Sequence, residues 1–475
     1  VHFSDYHSHA PSFYSEGRGD QGGIARALGY FRKVRGEGDV LVLSGGDMLN
    51  RRVPAWSDEY RCVEWPWLDG LVDAMALGNH DLDYGPDAFA ACRKSTGVPV
   101  LAANLVDGGG RAYLTADGKP YLVREVAGVR IGAFALTGRD VQQLIEPKDR
   151  PLRTEWRDPL ETARAVVKAL REQERVQAVV FFGHQSRGDD EAMARAVPGI
   201  DLVLGTHSHH KSGLVTIPGT QTRYIASYQY LTYVADVRLS FEEGRLAGVA
   251  GALVPMDASI PPEPQVAAAV AQLQQRLRAR RPERFAVVGR TAMQLSDEGV
   301  SERESLIGNW ATDELRRRAG THVFFSTASS FRGALPPGNV TMEDFLSAIP
   351  YRNRTARVRL RGSQLLDWLA LSVKHRGSDM FSQLSGARYV VRDGRPAEVE
   401  VLKDPAAPEK GYAPLDPASE YWVGTIDYQA GSVEGYRDIF RAGHQGVLGT
   451  TDVHQTLLDA LRNGPVSAAL DGRTK

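Results

Sequence analysis

The chain has 475 residues, 42% hydrophobic and 24% charged, with a formal net charge of -1. That length exceeds what one hydrophobic core usually serves, so two domains are expected, with the composition of a soluble globular protein. The near-zero charge and the lack of a long basic block argue against a nucleic-acid polymer as partner, and no uninterrupted apolar run reaches the length of a membrane span.

In chain order, the sequence begins at Val1 without Met and runs straight into a strand pattern. A targeting segment removed from the front is compatible with that start. Val40 to Leu43 reads as a buried strand. Trp56, Trp65 and Trp67 follow in an insertion-like stretch and are read as packing residues. Cys62 and Cys92 are too few for a disulfide scaffold and lack zinc-knuckle spacing. Two buried or free thiols is the favoured reading, with a single bridge as the alternative. Arg130 to Leu136, Ala178 to Phe182 and Asp201 to Leu204 are further strand candidates, and Pro159 to Gln173 carries a helical pattern. Strands alternating with helices predict an α/β layered domain.

Pro261, Pro262 and Pro264 forbid helix or central strand, which marks a linker. Val266 to Arg281 then reads as an amphipathic connector helix, with Arg278, Arg280, Arg281 and Arg284 as a solvated basic face. The expected organisation is therefore a first domain over 1–258, a linker and connector over 259–284, and a second domain over 285–475. The second half is mixed, with a helix near Ser305 to Ala319, strands near Val323 and Val358, and a helix near Leu365 to Val373.

The chemistry lies in the first half. Ser4-Asp5-Tyr6-His7, Gly45-Gly46-Asp47, Gly78-Asn79-His80-Asp81, Gly183-His184 and Gly205-Thr206-His207-Ser208-His209 each follow a strand-like run. Strand ends gather at one edge of an α/β sheet, so these polar clusters converge. Asp, Asn and His without thiolate suit Mn, Fe, Zn, Co or Ni. So many ligands exceed the needs of one ion and fit two divalent ions sharing a carboxylate. Asp47 is the natural bridge. Asp5, His7 and His209 would complete one site, and Asn79, His184 and His207 the other. His9 and His210 are read as non-ligands.

The order D-x-H, G-D, G-N-H-D, H and G-x-H-x-H resembles the calcineurin-like metallophosphoesterase signature, and Gly78 to Gly85 resembles its 5′-nucleotidase version. That resemblance implies a four-layer α/β/β/α domain followed by an α+β domain of the 5′-nucleotidase C-terminal type. It also implies that His80 is no metal ligand: it would assist the leaving group or the transition state, oriented by Asp83, while Asn79 joins the metals in stabilising charge. Mn or Zn are the metals favoured. Relatives are usually exported, which implies a periplasmic or extracellular home.

The resemblance continues through Glu304 to Asn309, Phe331 to Gly338, Thr341 to Asp344, Ile349 to Tyr351 and Glu434 to Tyr436. It implies a phosphate-binding role for Arg332 and a base sandwiched between Tyr351 and Tyr436. Substrate contacts on a different domain from the metals imply a hinge near the connector helix. There are departures. The asparagine expected at Thr327 is missing, Ser301 replaces a second phosphate arginine for which Arg303 would compensate, and Val433 and Glu434 interrupt a Gly-Gly-Asp-Gly run. The expected substrate is a small-molecule nucleoside 5′-monophosphate. 2′,3′-Cyclic nucleotides, nucleotide sugars, a sulfonated thiol in a thiosulfohydrolase, and non-catalytic nucleotide binding are the alternatives. Nothing in the sequence sets the oligomeric state.

Overall fold

The strands Ala74–Ala76, Ala178–Phe181 and Leu202–Gly205 are buried at every residue. Such burial is what a parallel sheet covered on both faces demands. In one six-stranded sheet the spatial order is Arg245–Pro255, Tyr233–Glu242, His2–Phe3, Leu43–Ser44, Ala74–Ala76, Val100–Leu101. The last four are parallel. The other runs Lys211–Thr216, Arg223–Ser227, Leu202–Gly205, Ala178–Phe181, Val129–Phe134, Leu122–Val126, with a parallel centre and antiparallel edges.

Side-chain alternation builds the layers. Val180 and Phe182 face Leu43, Ala74 and Leu101 in a core between the sheets. Val179 and Phe181 face outward onto Ala163, Val166 and Val167 of helix Pro159–Lys168 and onto Met193 of helix Arg187–Ala196. On the outside of the other sheet Phe3 stacks on Phe31 of helix Ile24–Glu37. The result is the α/β/β/α sandwich that the resemblance implied.

This computed structural model describes residues 1–115 and 117–475. It divides into a first unit of Val1–Phe13 with Gly19–Arg280 and a second of Tyr14–Arg18 with Arg281–Lys475. Helix Pro264–Arg280 belongs to the first unit, where it packs on Ile24–Glu37 and accepts a hydrogen bond from the Tyr60 hydroxyl at Leu273 O, 2.6 Å. The second unit is α+β. Its five-stranded sheet runs Ser382–Ser385, Val323–Thr327, Glu420–Ile426, Thr355–Arg361, His444–Val447. Helix Gly362–Lys374 covers it through Leu365, Trp368 and Leu369. Helix Leu306–Ala319 starts at Ser305, whose hydroxyl caps it by accepting from the Gly308 N–H. Among the described residues no helix is long and apolar enough to cross a membrane.

Two local expectations change. The Val40 to Leu43 run enters the sheet only at Leu43, because Val42 N–H is taken by the Asp73 carboxylate at 2.8 Å instead of a neighbouring strand. Cys62 and Cys92 are not free thiols: they form a disulfide that ties the tryptophan-bearing insertion to helix Pro86–Lys94. Sequence spacing hides this pairing because a thirty-residue separation is closed by tertiary packing. Reducing this bridge, or replacing both cysteines by Ser, should lower unfolding stability by about 3–4 kcal/mol through loop closure. Denaturant midpoints with and without reductant measure this, and unchanged midpoints would show that the closed loop contributes nothing.

Candidate dinuclear metal centre

Asp5, Asp47 and Asn79 leave the C-terminal ends of three adjacent parallel strands in the first sheet, His2–Phe3, Leu43–Ser44 and Ala74–Ala76. His184 leaves Ala178–Phe181 in the second sheet, and His207 and His209 leave the neighbouring Leu202–Gly205. Both sheets thus present their polar turns at one end of the sandwich. The turns are sharp. Asp5, His7, Asp47, His207 and His209 all have φ between 48° and 56°, a left-handed region that non-glycine residues seldom occupy. Gly78 has a separate reason to lack a side chain: a Cβ there would collide with the Asp47 carboxylate.

The donor atoms fall into three close groups, Asp5/His7/His209, His7/Asp47/His80 and Asp47/His184/His207, each within 4.8 Å. His7 and Asp47 each belong to two of them, and Asp47 is the carboxylate of this shared pair. His7 Nε2 faces His209 Nε2 at 3.1 Å, and His209 Nε2 lies 3.5 Å from Asp5 Oδ1. His184 Nε2 lies 3.2 Å from Asp47 Oδ2. His184 Nδ1 donates to Gly45 O at 2.7 Å, which fixes the tautomer and leaves Nε2 as the inward donor. Asp5 Oδ1 and Asn79 Oδ1 are buried without a hydrogen-bond partner. Orphaned oxygens beside converging imidazoles are costly in a protein interior unless a cation meets them, so these residues fit divalent ions.

The electrostatics agree. Burial works against ionising Asp47, yet the His184 and His80 rings hold its carboxyl well below the usual range. Burial likewise works against charge on His184, but Asp47 and Asp5 push it up to about 10. His7 goes the other way: burial holds its imidazole well below the usual histidine range, despite Asp47.

His80 stands at the rim. Its Nδ1 bonds Asp83 Oδ2 at 2.8 Å and its N–H donates to Asp47 Oδ1 at 2.8 Å, while its ring centre lies 5.0 Å from that of His7. Asp81 is a further organising residue that ligand counting passes over. Its carboxylate accepts from the N–H groups of Met48 at 2.8 Å, Gly78 at 2.9 Å and Asp47 at 3.1 Å, joining two ligand turns. His9 stacks on Tyr230 with ring centres 3.8 Å apart, and His210 pairs with Arg187.

The second unit carries its own cluster. Arg332 Nη2 pairs with Asp379 Oδ2 at 3.0 Å, and its guanidinium lies 6.0 Å from the centre of the Tyr351 ring. Tyr351 is 40% exposed. Tyr436 is a correction: it is fully buried, its hydroxyl donates to Met380 O at 3.0 Å, and its ring sits 5.0 Å from Trp368 in the core. It opens a short helix, Tyr436–Ala442, whose inward face it shares with Phe440, so no ring face is left for a base. Tyr428, which sequence reading missed, is a second exposed aromatic here, at 37%. It lies just beyond strand Glu420–Ile426 and within electrostatic reach of Asp379, Tyr351 and Arg332. A tyrosine two residues past a strand end was the available signal. Arg303 is engaged elsewhere, with Glu298 Oε1 at 2.8 Å on an exposed turn.

Residues 1–211 match the calcineurin-like phosphoesterase family and residues 287–441 the 5′-nucleotidase C-terminal domain. The first region thus belongs to the calcineurin-like phosphoesterases and the second to the 5′-nucleotidase C-terminal domains. The chain is a metal-dependent phosphoester hydrolase, and the fold of its first region implies divalent ions. The chain is 23% identical to a trifunctional nucleotide phosphoesterase protein of Bacillus subtilis, over 100% of this chain but only 34% of that protein. It therefore spans about a third of that relative's length. A 5′-nucleotidase precursor from Thermus thermophilus superposes with a TM-score of 0.73 at 26% identity, covering 100% of this chain and 98% of the other. The sulfate thiohydrolase SoxB of the same organism shares the fold at 0.72 and 20% identity, over 100% and 95%.

Replacing Asp47 by Ala should empty both ion positions, not one, and lower kcat by at least about a thousandfold. Metal content by mass spectrometry checks this, and retention of a full pair would remove Asp47 from the bridge. Tyr428→Ala should raise KM for a nucleotide with little change in Tm, whereas Tyr436→Ala should cost about 3–5 kcal/mol of stability. Steady-state kinetics beside thermal melts distinguish the two, and the reverse pattern would restore Tyr436 as the stacking residue.

Proposed function

We propose that the protein is a 5′-nucleotidase that releases phosphate from nucleoside 5′-monophosphates. The observation that carries the hydrolytic half is the Asp47 carboxylate shared between two groups of converging donors. Two divalent ions, when bound, polarise the phosphoryl group and activate a water. Asn79 offers its unpartnered amide oxygen to that centre. The Asp83 carboxylate holds the His80 ring by Nδ1 and leaves Nε2 to serve the departing oxygen as proton donor. Nitrogen and oxygen donors without thiolate favour Mn or Zn among the ions considered.

The nucleoside half of the proposal is supported by Arg332 with Tyr351 and Tyr428: a guanidinium suited to phosphate oxygens and two half-exposed rings suited to a base. The Cys62–Cys92 disulfide supports a periplasmic or extracellular home, because such bridges persist in oxidising compartments.

The test is a substrate panel of AMP, a 2′,3′-cyclic nucleotide, a nucleotide sugar and a peptide bearing an S-sulfonated cysteine, assayed with Mn or Zn. Preference for AMP is expected, and His80→Ala should lower kcat by about a hundred- to ten-thousandfold with both metals retained. Turnover of the sulfonated peptide alone would replace the nucleotidase reading with that of a thiosulfohydrolase.

A further inference from the structure

Three of four consecutive residues in the first ligand turn, Asp5, His7 and Ser8, are left-handed, with φ of 52°, 48° and 55°. Non-glycine residues rarely hold this conformation unaided, so the surroundings must over-determine the turn. Backbone bonds supply part of the constraint: Asp5 N–H donates to Gly46 O, His7 N–H to Asp47 O and Ser8 N–H to Met48 O. Tyr230 N–H also donates to Asp5 O, and His207 N–H to Asp5 Oδ2. A further part comes from outside the sheet, through the two side chains that flank His7. Tyr6 donates its hydroxyl proton to Glu64 Oε1 at 2.9 Å, and Ser8 donates to Ser57 Oγ at 3.0 Å. Tyr6, Ser8, Ser57 and Glu64 are all buried.

Ser57 and Glu64 lie on one segment, made of helix Ala55–Tyr60 and the turn Trp65–Leu68. Trp56 Nε1 also donates to Glu64 Oε1, at 2.8 Å, so the segment fixes its own acceptor. Cys62 anchors it to Cys92 on helix Pro86–Lys94, the helix that follows the Asn79–His80–Asp83 turn. Tyr84 donates to Asp58 Oδ1 at 2.6 Å and makes a second link to that side. One insertion thus grips both the first and the third ligand turns.

We propose that Glu64 and Ser57, held by the Cys62–Cys92 bracket, are positioning residues that keep the Asp5–His7–Ser8 turn in its metal-binding conformation. The proposal rests on reading Asp5 and His7 as metal ligands. The insertion then acts as a clamp outside the ligand set, and it sets affinity for the ion held by Asp5, His7 and His209. Glu64 Oε1 accepts from both Tyr6 and Trp56, a role that the amide oxygen of glutamine can also fill.

The experiment titrates the metal-stripped full chain with Mn2+, measuring affinity, stoichiometry and the rise in Tm on metal addition, for wild type, Glu64→Ala, Glu64→Gln and Ser57→Ala. Glu64→Ala and Ser57→Ala should each bind one of the two ions about 10- to 100-fold more weakly and show a smaller metal-induced rise in Tm, while Glu64→Gln stays within about threefold of wild type. A purely structural role would lower Tm with and without metal alike and leave affinity unchanged, and that result would overturn the proposal. Should Glu64→Ala not fold, Ser57→Ala decides, since it deletes one hydroxyl. Wild type that binds no Mn2+ would overturn the metal centre together with the clamp, whereas wild type and both alanine variants binding two ions equally would overturn the clamp alone.

Discussion

Two carboxylates, Asp5 and Asp47, are buried among the imidazoles of His7, His184, His207 and His209, and this crowding of unlike groups governs the first unit. Desolvating a carboxylate costs several kcal/mol, and that cost is met only where positive charge and hydrogen-bond donors are brought close. The parallel strands serve this need. Their C-terminal ends are the places where short polar turns leave a fully apolar interior, and two sheets face to face provide them from both sides. The Asp81 carboxyl, accepting backbone N–H groups from two ligand turns, aligns one of these turns with the other.

Much of this was legible in the amino-acid sequence because the signals were local and redundant. Apolar runs such as Ala178 to Phe182 mark strands buried on both faces, and Gly183-His184 directly after one of them fixes where its imidazole must emerge. Ligand counting leads to a shared carboxylate, and the structure brings Asp5, His7 and His209 together, and Asp47 with His184 and His207, while also drawing His80 up to His7 and Asp47. Family resemblance supplied the layer order, which periodicity does not.

What was not legible depends on which way a side chain turns, or on pairings across long loops. The resemblance singles out Tyr436 and passes over Tyr428. Burial against Trp368 removes one, and placement just past a strand end exposes the other. Arg303 has a suitable charge and position in the sequence, but Glu298, five residues away, engages it. The Cys62–Cys92 bridge and the Glu64 contact both link residues whose proximity exists only after folding.

The left-handed backbone at the ligand positions has a consequence for how such a centre changes over evolutionary time. Outside glycine, Asp, Asn and His are among the residues that tolerate this conformation best, and two of the three supply most of the donors here. Chemistry and conformation therefore draw on the same short alphabet. A drift to glycine would relax the chain and erase the donor, while a drift to a bulkier residue would do neither job. Transplanting the donors onto another scaffold would fail for the same reason unless the contorted main chain travelled with them.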